Sequence, residues 1–162
     1  MLHRIRAFLN RPLAEDFSFR NQLWLSLQAG LYVFVFIYLI GGVRSASGLS
    51  RLAMLALFSL NVVVVAMSTN VLIPRLLPQV YDEDRWTVGK HSLHVLLVLF
   101  CISAGNQAVL VLTNNPHPPF WQMYLTVTVI GFFPTTLGLF LAERRRLKRN
   151  LAHAQTLNAQ LD

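Results

Sequence analysis

The sequence predicts an all-α membrane protein, a four transmembrane helix bundle with both chain ends in the cytoplasm (N-in/C-in). The first indication is a set of long runs without Asp, Glu, Lys or Arg: residues 21–43 and 52–74 hold 23 residues each, and residues 91–142 hold 52. About 20 helical residues cross a bilayer core about 30 Å thick. The turn-forming string TNNPHPP at 113–119 divides the third run. The predicted spans are therefore about 21–43, 52–74, 91–113 and 119–142.

Basic residues alternate between the two sides of these spans, which is the second indication. Twelve of the 14 Lys and Arg residues precede the first span, separate the second from the third, or follow the fourth. The two remaining connections hold only Arg44 and Arg51. Because cytoplasmic segments carry the basic excess, both termini and residues 75–90 are predicted to be cytoplasmic. The net charge of +7 follows from this topology and from attraction to anionic lipids. No nucleic-acid-binding motif occurs, so direct nucleic-acid binding by this chain is not expected.

Residues 1–20 are predicted to be a basic cytoplasmic N-terminal segment. They mix Arg with Leu, Ile and Phe, which favours a short amphipathic segment at the membrane interface, ended by Pro12. The first apolar run that follows exceeds the roughly 7–15 residues of a signal-peptide core. We therefore interpret it as an uncleaved span, although Ser45-Ala46-Ser47 loosely resembles a cleavage site.

The loop between the second and third spans is the most distinctive hydrophilic segment. Pro74 and Pro78 are predicted to end the second helix, and Asp82 or Asp84 to cap the third. One interpretation is a capped helix entry with local salt bridges, and the alternative is a surface that docks a partner or acts as a switch. The residues of this candidate loop surface are Asp82, Glu83, Asp84, Arg85 and Trp86.

The last predicted segment, 143–162, extends the fourth span into the cytoplasm as an output helix. No Gly or Pro follows Gly138, and apolar positions recur at the 4-3-4-3 spacing of a short coiled coil. A polar residue at an a-like position of such a seam fixes dimer register, so a homodimer is predicted. The alternative is an amphipathic tail that frays. The seam residues are Leu147, Leu151, Ala154, Asn158 and Leu161.

Catalytic or metal-binding groups are not evident. His91 and His94 share a helix face at i, i+3 spacing, but two histidines without a third ligand form an incomplete metal site. Cys101, the single cysteine, is expected to act as a small buried hydrophobe. We expect neither an enzyme nor a cofactor.

Neutral polar residues inside the spans, in contrast, offer a candidate functional site. Such side chains usually hydrogen-bond between helices at about 0.6 kcal/mol each. Asn61, Asn106 and Gln107 are alternatively candidates to line a sensing pocket or a narrow pore. Pro134 in the fourth span removes one backbone hydrogen bond and is predicted to form a kink or hinge beside the output helix.

Three segments together carry a family resemblance: SFRNQLWLSLQAGLYVFVFIYLI at 18–40, NVLIPRLLPQVYDEDRWTVGKHSLHVLL at 70–97, and GFFPTTLGLFLAERRRLKRNLAHAQTLNAQL at 131–161. The series resembles the N-terminal membrane module of membrane-anchored LytTR-type transcriptional regulators of Bacteroidetes-like bacteria. The most specific parts are RWTVGK at 85–90 and the helix at 147–161.

The resemblance implies a location in the bacterial cytoplasmic (inner) membrane and a sensor or anchor role. In such regulators a helical linker joins the bundle to a β-rich DNA-binding domain, which is absent from this chain because it ends at Asp162, where the linker would continue. The chain is then either the membrane part of a longer regulator or a stand-alone bundle.

Two functions follow as hypotheses from the sequence. The first is a signalling module that relays helix packing to the cytoplasm, with the lipid bilayer, a second copy of itself and an unidentified small or lipidic ligand as partners. The second is a stand-alone oligomeric pore or membrane-perturbing effector.

Overall fold

The computed structural model of the protein describes residues 2–13, 17–41, 48–82 and 85–161. Within these ranges no strand occurs, and an isolated bridge links Pro12 and Thr87. Glu83 and Asp84 of the candidate loop surface lie outside the described residues, as do the side chains of Ala154, Asn158 and Leu161 in the predicted seam. The helices of these ranges are α1 Leu2–Leu9, α2 Phe19–Ile40, α3 Arg51–Leu76, α4 Val88–Leu112 and α5 Phe120–Leu161.

Three of these helices, α2, α3 and α4, are long and apolar enough to cross a membrane, with mean hydropathies of 2.0, 2.1 and 2.3. In the most apolar 18-residue stretch of each helix, only 11% to 28% is buried inside the protein. Most of the apolar surface therefore faces outward, as it does on helices that contact lipid. The all-α class predicted from the sequence is confirmed, and the described chain has the features of a helical membrane protein.

Local sequence explains where the helices begin and end. Ser50 caps α3, because its hydroxyl accepts a hydrogen bond from the Ala53 N–H at 3.2 Å. Gly41 ends α2 in the left-handed conformation at φ 77°, which glycine adopts without a steric penalty, and its N–H bonds to the Ile37 carbonyl.

Two predictions about the loop end of the bundle, the end that carries residues 77–87, are wrong in detail. Pro74 does not end α3, which continues to Leu76. The cap of α4 is Thr87 rather than Asp82, since the Thr87 hydroxyl accepts from the Lys90 N–H at 3.4 Å. Asp82 instead forms an exposed ion pair with Arg85 at 3.7 Å, a type of contact that adds little stability.

The helices pack in chain order, α2 against α3, α3 against α4 and α4 against α5, whereas α2 and α5 touch only lightly. The packing of α2 against α3 is the most extensive of these. A Cβ placed on Gly30 would collide with Val63 Cγ2 and lie 3.0 Å from the Ser59 carbonyl oxygen. Gly30 therefore sets the distance between these two helices. Because α2 and α5 stay apart, a space remains between the four long helices.

The N-terminal segment is attached to the loop end by backbone pairing. The Leu13 N–H donates to the Trp86 carbonyl at 2.9 Å, and the Val88 N–H donates to the Arg11 carbonyl at 3.0 Å. The side chains of Leu13 and Trp86 are both buried and form one apolar cluster, against which Phe17 and Tyr81 pack. We name this group the Trp86 cluster. It connects the start of the chain to the entry of α4.

The opposite end of the bundle, the turn end, carries residues 113–119. Asn114 takes a left-handed conformation at φ 51°, and the Asn115 N–H bonds back to the Leu110 carbonyl at 2.9 Å. Met54, Phe58 and Leu110 form a buried apolar cluster beneath this turn. The turn is therefore folded back onto α3 and α4.

Candidate functional site

A cavity of about 380 Å³ lies between the four long helices. This volume is within the roughly 300–1,000 Å³ typical of ligand pockets. Its α2 wall runs from Gln22 to Ile37, which is about 22 Å at 1.5 Å per residue, and its α5 wall includes Val127 to Pro134. No Asp, Glu, Lys or Arg is among the described residues that line it. The cavity is thus long, mostly apolar and uncharged.

A chain of hydrogen bonds crosses three helices at the loop end of the cavity. Asn70 Nδ2 of α3 donates to Gln22 Oε1 of α2 at 3.0 Å. Asn70 Oδ1 is 2.8 Å from His94 Nε2 of α4, and His94 Nδ1 is 2.8 Å from the Tyr81 hydroxyl. Gln22 and His94 are only 2% and 8% exposed. Buried polar groups need such partners, because an unmade hydrogen bond costs about 1–3 kcal/mol.

The orientation of Asn70 determines the direction of this chain. Since its amide nitrogen faces Gln22, its oxygen faces His94 and accepts a hydrogen bond from the Nε2–H. In the neutral imidazole Nδ1 is then an acceptor, so the Tyr81 hydroxyl donates to it. Burial raises the pKa of the Tyr81 phenol above its usual 10.0, which keeps this hydroxyl protonated at neutral pH.

The Trp86 cluster covers the outer end of the hydrogen-bond chain. Tyr81 stacks on Trp86 with ring centroids 4.9 Å apart, and Phe17 meets both rings edge-on at 5.6 and 5.1 Å. Trp86 also meets the edge of the His94 ring at 6.3 Å. Offset and edge-to-face aromatic pairs add about 0.5–1.5 kcal/mol each beyond area burial. The Trp86 cluster therefore connects the N-terminal segment and the loop to the loop end of the cavity.

One buried polar group in the cavity wall has no hydrogen-bond partner within the described part of the chain. The Ser26 hydroxyl lies one helical turn from Gln22 and lines the cavity. Its residue is 2% exposed, and its oxygen has no hydrogen-bond partner among the described residues. A hydroxyl can both donate and accept one hydrogen bond, so this group is available to a molecule in the cavity.

The three predicted intramembrane polar residues do not share one position. Asn61 Nδ2 of α3 donates to Asn106 Oδ1 of α4 at 2.8 Å and to the Ile102 carbonyl at 3.0 Å. Gln107 lies on another face of α4, where its Nε2 is 3.0 Å from the Pro118 carbonyl and 2.8 Å from His117 Nδ1. Asn61 and Asn106 therefore connect two helices, whereas Gln107 fixes the turn.

Pro134, the predicted hinge, lies in the cavity wall where α2 meets α5. Proline has no N–H, so the carbonyl four residues earlier, that of Ile130, loses its usual helix partner. The Tyr32 hydroxyl of α2 donates to this carbonyl at 3.2 Å. The Tyr32 ring also stacks on Phe133 with centroids 6.0 Å apart. Tyr32 thus supplies a polar and an aromatic contact between the two loosely packed helices.

The remaining predicted residues are placed as follows. His91 and His94 both line the cavity, and no group of three or more His, Cys, Asp or Glu side chains in the described chain is arranged to hold a metal. Leu147 and Leu151 of the predicted seam lie on the unbroken helix α5 and are 58% and 61% exposed. Their apolar side chains have room for a partner helix.

Several site residues were missed by the sequence interpretation: Gln22, Ser26, Tyr32, Tyr81 and the pairing of Asn70 with His94. A signal was available in the sequence, because Gln22, Asn70 and His94 all lie near ends of predicted spans that the predicted topology places on the same side. Residues of equal depth in neighbouring spans are candidates for contact.

Comparisons of this chain with protein families, with curated proteins and with solved structures find no match.

Replacing Asn70 with Leu is expected to lower the free energy of unfolding by about 1–3 kcal/mol. The change removes the hydrogen bonds of Asn70 to Gln22 and to His94. The measurement is SDS-induced unfolding of the protein in mixed micelles, followed by circular dichroism. The matched control is Ser68→Leu, an exposed position on the same helix, which should change stability by less than about 0.5 kcal/mol. Equal losses from the two variants would contradict the role given to Asn70.

Proposed function

We propose that this chain is a membrane signalling module, in which the state of the cavity alters the position of the output helix. The observation that carries the proposal is that one helix, α5, forms a wall of the cavity at Pro134 and continues without a break to Leu161. A change in cavity occupancy would therefore move a helix that extends well beyond the bundle.

The proposed topology has four spans with both termini in the cytoplasm, the first half of α5 being the fourth. The exposed apolar side chains Leu125, Val129 and Phe132 on this half of α5 support a lipid-facing surface. The distribution of basic residues supports the orientation, since the loop end and the α5 extension carry the positive charge. A location in a bacterial cytoplasmic membrane is part of the proposal.

The length of α5 supports an output role. Its 42 residues span about 63 Å at 1.5 Å per residue, roughly twice the 30 Å of a bilayer core. The exposed Leu147 and Leu151 would then lie in the cytoplasm and pair with the same residues of a second copy. Pairing would bury apolar surface that a single chain leaves in water.

The relay between cavity and extension would be the contact of Tyr32 with α5. A molecule between α2 and α5 would separate the Tyr32 hydroxyl from the Ile130 carbonyl, which are 3.2 Å apart. Because Pro134 leaves this carbonyl without a helix partner, the segment around it would have two states in this proposal, one bonded to Tyr32 and one not. Conversion between such discrete states is what allosteric coupling requires.

The particular regulator that we propose is the LytTR type, on the resemblance of 18–40, 70–97 and 131–161. In that case the α5 extension would hold two DNA-binding domains together at the membrane. The reading frame of the source gene beyond Asp162 tests this assignment. A continuation into a β-rich DNA-binding segment is expected, and an immediate stop codon would remove the LytTR assignment while leaving the signalling module in place.

Disulfide crosslinking along α5 tests the signalling module itself. In a Cys101→Ser background, the single-cysteine variants Leu147→Cys and Leu151→Cys are each expected to form disulfide-linked dimers when membranes are placed under oxidising conditions. Thr156→Cys is the control, because the sequence register places it opposite the seam. Adding Tyr32→Phe, which removes only the hydroxyl, is expected to change the crosslinking rate at Leu151→Cys.

Two results would refute the proposal. Equal crosslinking at all three positions would mean that α5 does not pair along the predicted seam. A crosslinking rate that is the same with tyrosine and with phenylalanine at position 32 would mean that the Tyr32 contact does not control the extension.

A further inference from the structure

We infer that the cavity binds an uncharged, elongated lipid-like molecule whose hydroxyl or carbonyl head bonds to Ser26 and whose tail runs along α2 toward Ile37. This inference rests on the proposed function, because it names the class of molecule that the signalling module would sense.

The charge of the cavity wall selects against ionised ligands. No Asp, Glu, Lys or Arg lines the cavity among the described residues. A carboxylate or phosphate placed there would lose its hydration and meet no lysine or arginine among the described residues, which is costly in an apolar environment. A neutral head avoids that cost.

Ser26 identifies where the head would bind. Its hydroxyl is buried, lines the cavity and has no hydrogen-bond partner in the described chain. The neighbouring Gln22 and Asn70 are already bonded to each other, at 3.0 Å. A single hydroxyl or carbonyl is enough to satisfy the Ser26 hydroxyl.

The shape of the cavity matches a single tail. From Gln22 to Ile37 the α2 wall extends about 22 Å, and its side facing the cavity includes Ala29 and Val33. The loose packing of α2 against α5 gives a molecule dissolved in the membrane a lateral route into this space. On this route the tail would pass Tyr32, whose ring and hydroxyl contact α5.

Photolabelling of the full chain in phosphatidylcholine nanodiscs tests the inference. The probe is a monoacylglycerol that carries a diazirine in its acyl chain and an alkyne for detection. We expect saturable labelling of peptides from α2 and α5. Unlabelled monoacylglycerol should compete, and an alkyl sulfonate of the same chain length, which is always ionised, should not.

Variants along α2 locate the binding site. Ser26→Ala is expected to raise the concentration of unlabelled monoacylglycerol that halves the labelling by about threefold to tenfold. This is the effect of losing one neutral hydrogen bond. Ala29→Phe should abolish saturable labelling, because the larger side chain fills the tail channel. Leu31→Phe is the matched control on the exposed face of the same helix and should label as the original chain does.

The outcomes separate the ligand from the function. Non-saturable labelling, labelling that Ala29→Phe leaves unchanged, or equal competition by the alkyl sulfonate would each overturn the ligand inference. If labelling fails while Tyr32→Phe still changes crosslinking at Leu151→Cys, the signalling module stands without this ligand. If labelling succeeds while crosslinking is insensitive to Tyr32→Phe, the ligand inference stands and the relay fails.

Discussion

Trp86→Ala is expected to lower the free energy of unfolding by about 3–5 kcal/mol, the usual range for removing a buried tryptophan. Trp86 is 1% exposed and contacts Leu13, Phe17, Tyr81 and the His94 ring. Its loss would remove the centre of the Trp86 cluster. The measurement is SDS unfolding followed by circular dichroism, together with the rate of trypsin cleavage at Arg11, which should rise as the N-terminal segment detaches.

Two further variants make this prediction specific. Trp121→Ala changes a 67% exposed tryptophan and should cost less than about 0.5 kcal/mol. Trp86→Phe should cost less than Trp86→Ala, because it keeps an aromatic ring and removes an indole N–H that is buried without a partner in the described chain. If Trp86→Ala and Trp121→Ala lowered stability equally, the cluster would not hold the N-terminal segment.

Gly30→Val is expected to separate α2 from α3 and to lower the free energy of unfolding by more than about 3 kcal/mol. Overpacking usually costs about 1–3 kcal/mol, but here one obstacle is the Ser59 backbone carbonyl, 3.0 Å from the added Cβ, which cannot rotate away. In an unobstructed helix, replacing glycine would instead stabilise the protein by about 0.5–1 kcal/mol when alanine is introduced. The steric contact therefore turns an expected gain in the free energy of unfolding into a loss.

The same unfolding titration measures this effect, with Ala56→Val on the exposed face of α3 as the matched control. That control should be almost neutral. A Gly30→Val protein with the original stability would show that the close approach of α2 and α3 is not required. Because Ala29 and Ser26 lie on the same helix, Gly30→Val should also abolish saturable monoacylglycerol labelling.

The helices were predictable because long runs of residues without Asp, Glu, Lys or Arg mark them in the sequence. Uncharged runs of 23 residues leave few alternatives to a membrane-crossing helix, and α2 and α3 cover the first two such runs almost completely. The cap of α4 was not predictable in this way. Asp82 and Thr87 both suit a helix N-terminus by residue type, and only the path of the loop decides that Thr87 lies at the first turn.

The site was harder to predict than the fold, because the sequence of an apolar span does not show which of its side chains point toward the other helices. A helix that is apolar on all sides gives no periodic signal for its inward face. Asn106 and Gln107 are neighbours in sequence, yet about 100° apart around α4, so one bonds to Asn61 and the other to the turn. The sequence did not indicate which of these two neighbours, Asn106 or Gln107, faced α3.

The attachment of Leu13 to Trp86 has a consequence for how the protein is made. Seventy-three residues separate the two positions in the chain. At about 5–20 residues per second, a ribosome needs about 4–15 s between them. During that time α2 and α3 are synthesised while the N-terminal segment has no Trp86 to bind. The contact of Leu13 with Trp86 therefore brings the first residues made into place only after α2 and α3 have been synthesised.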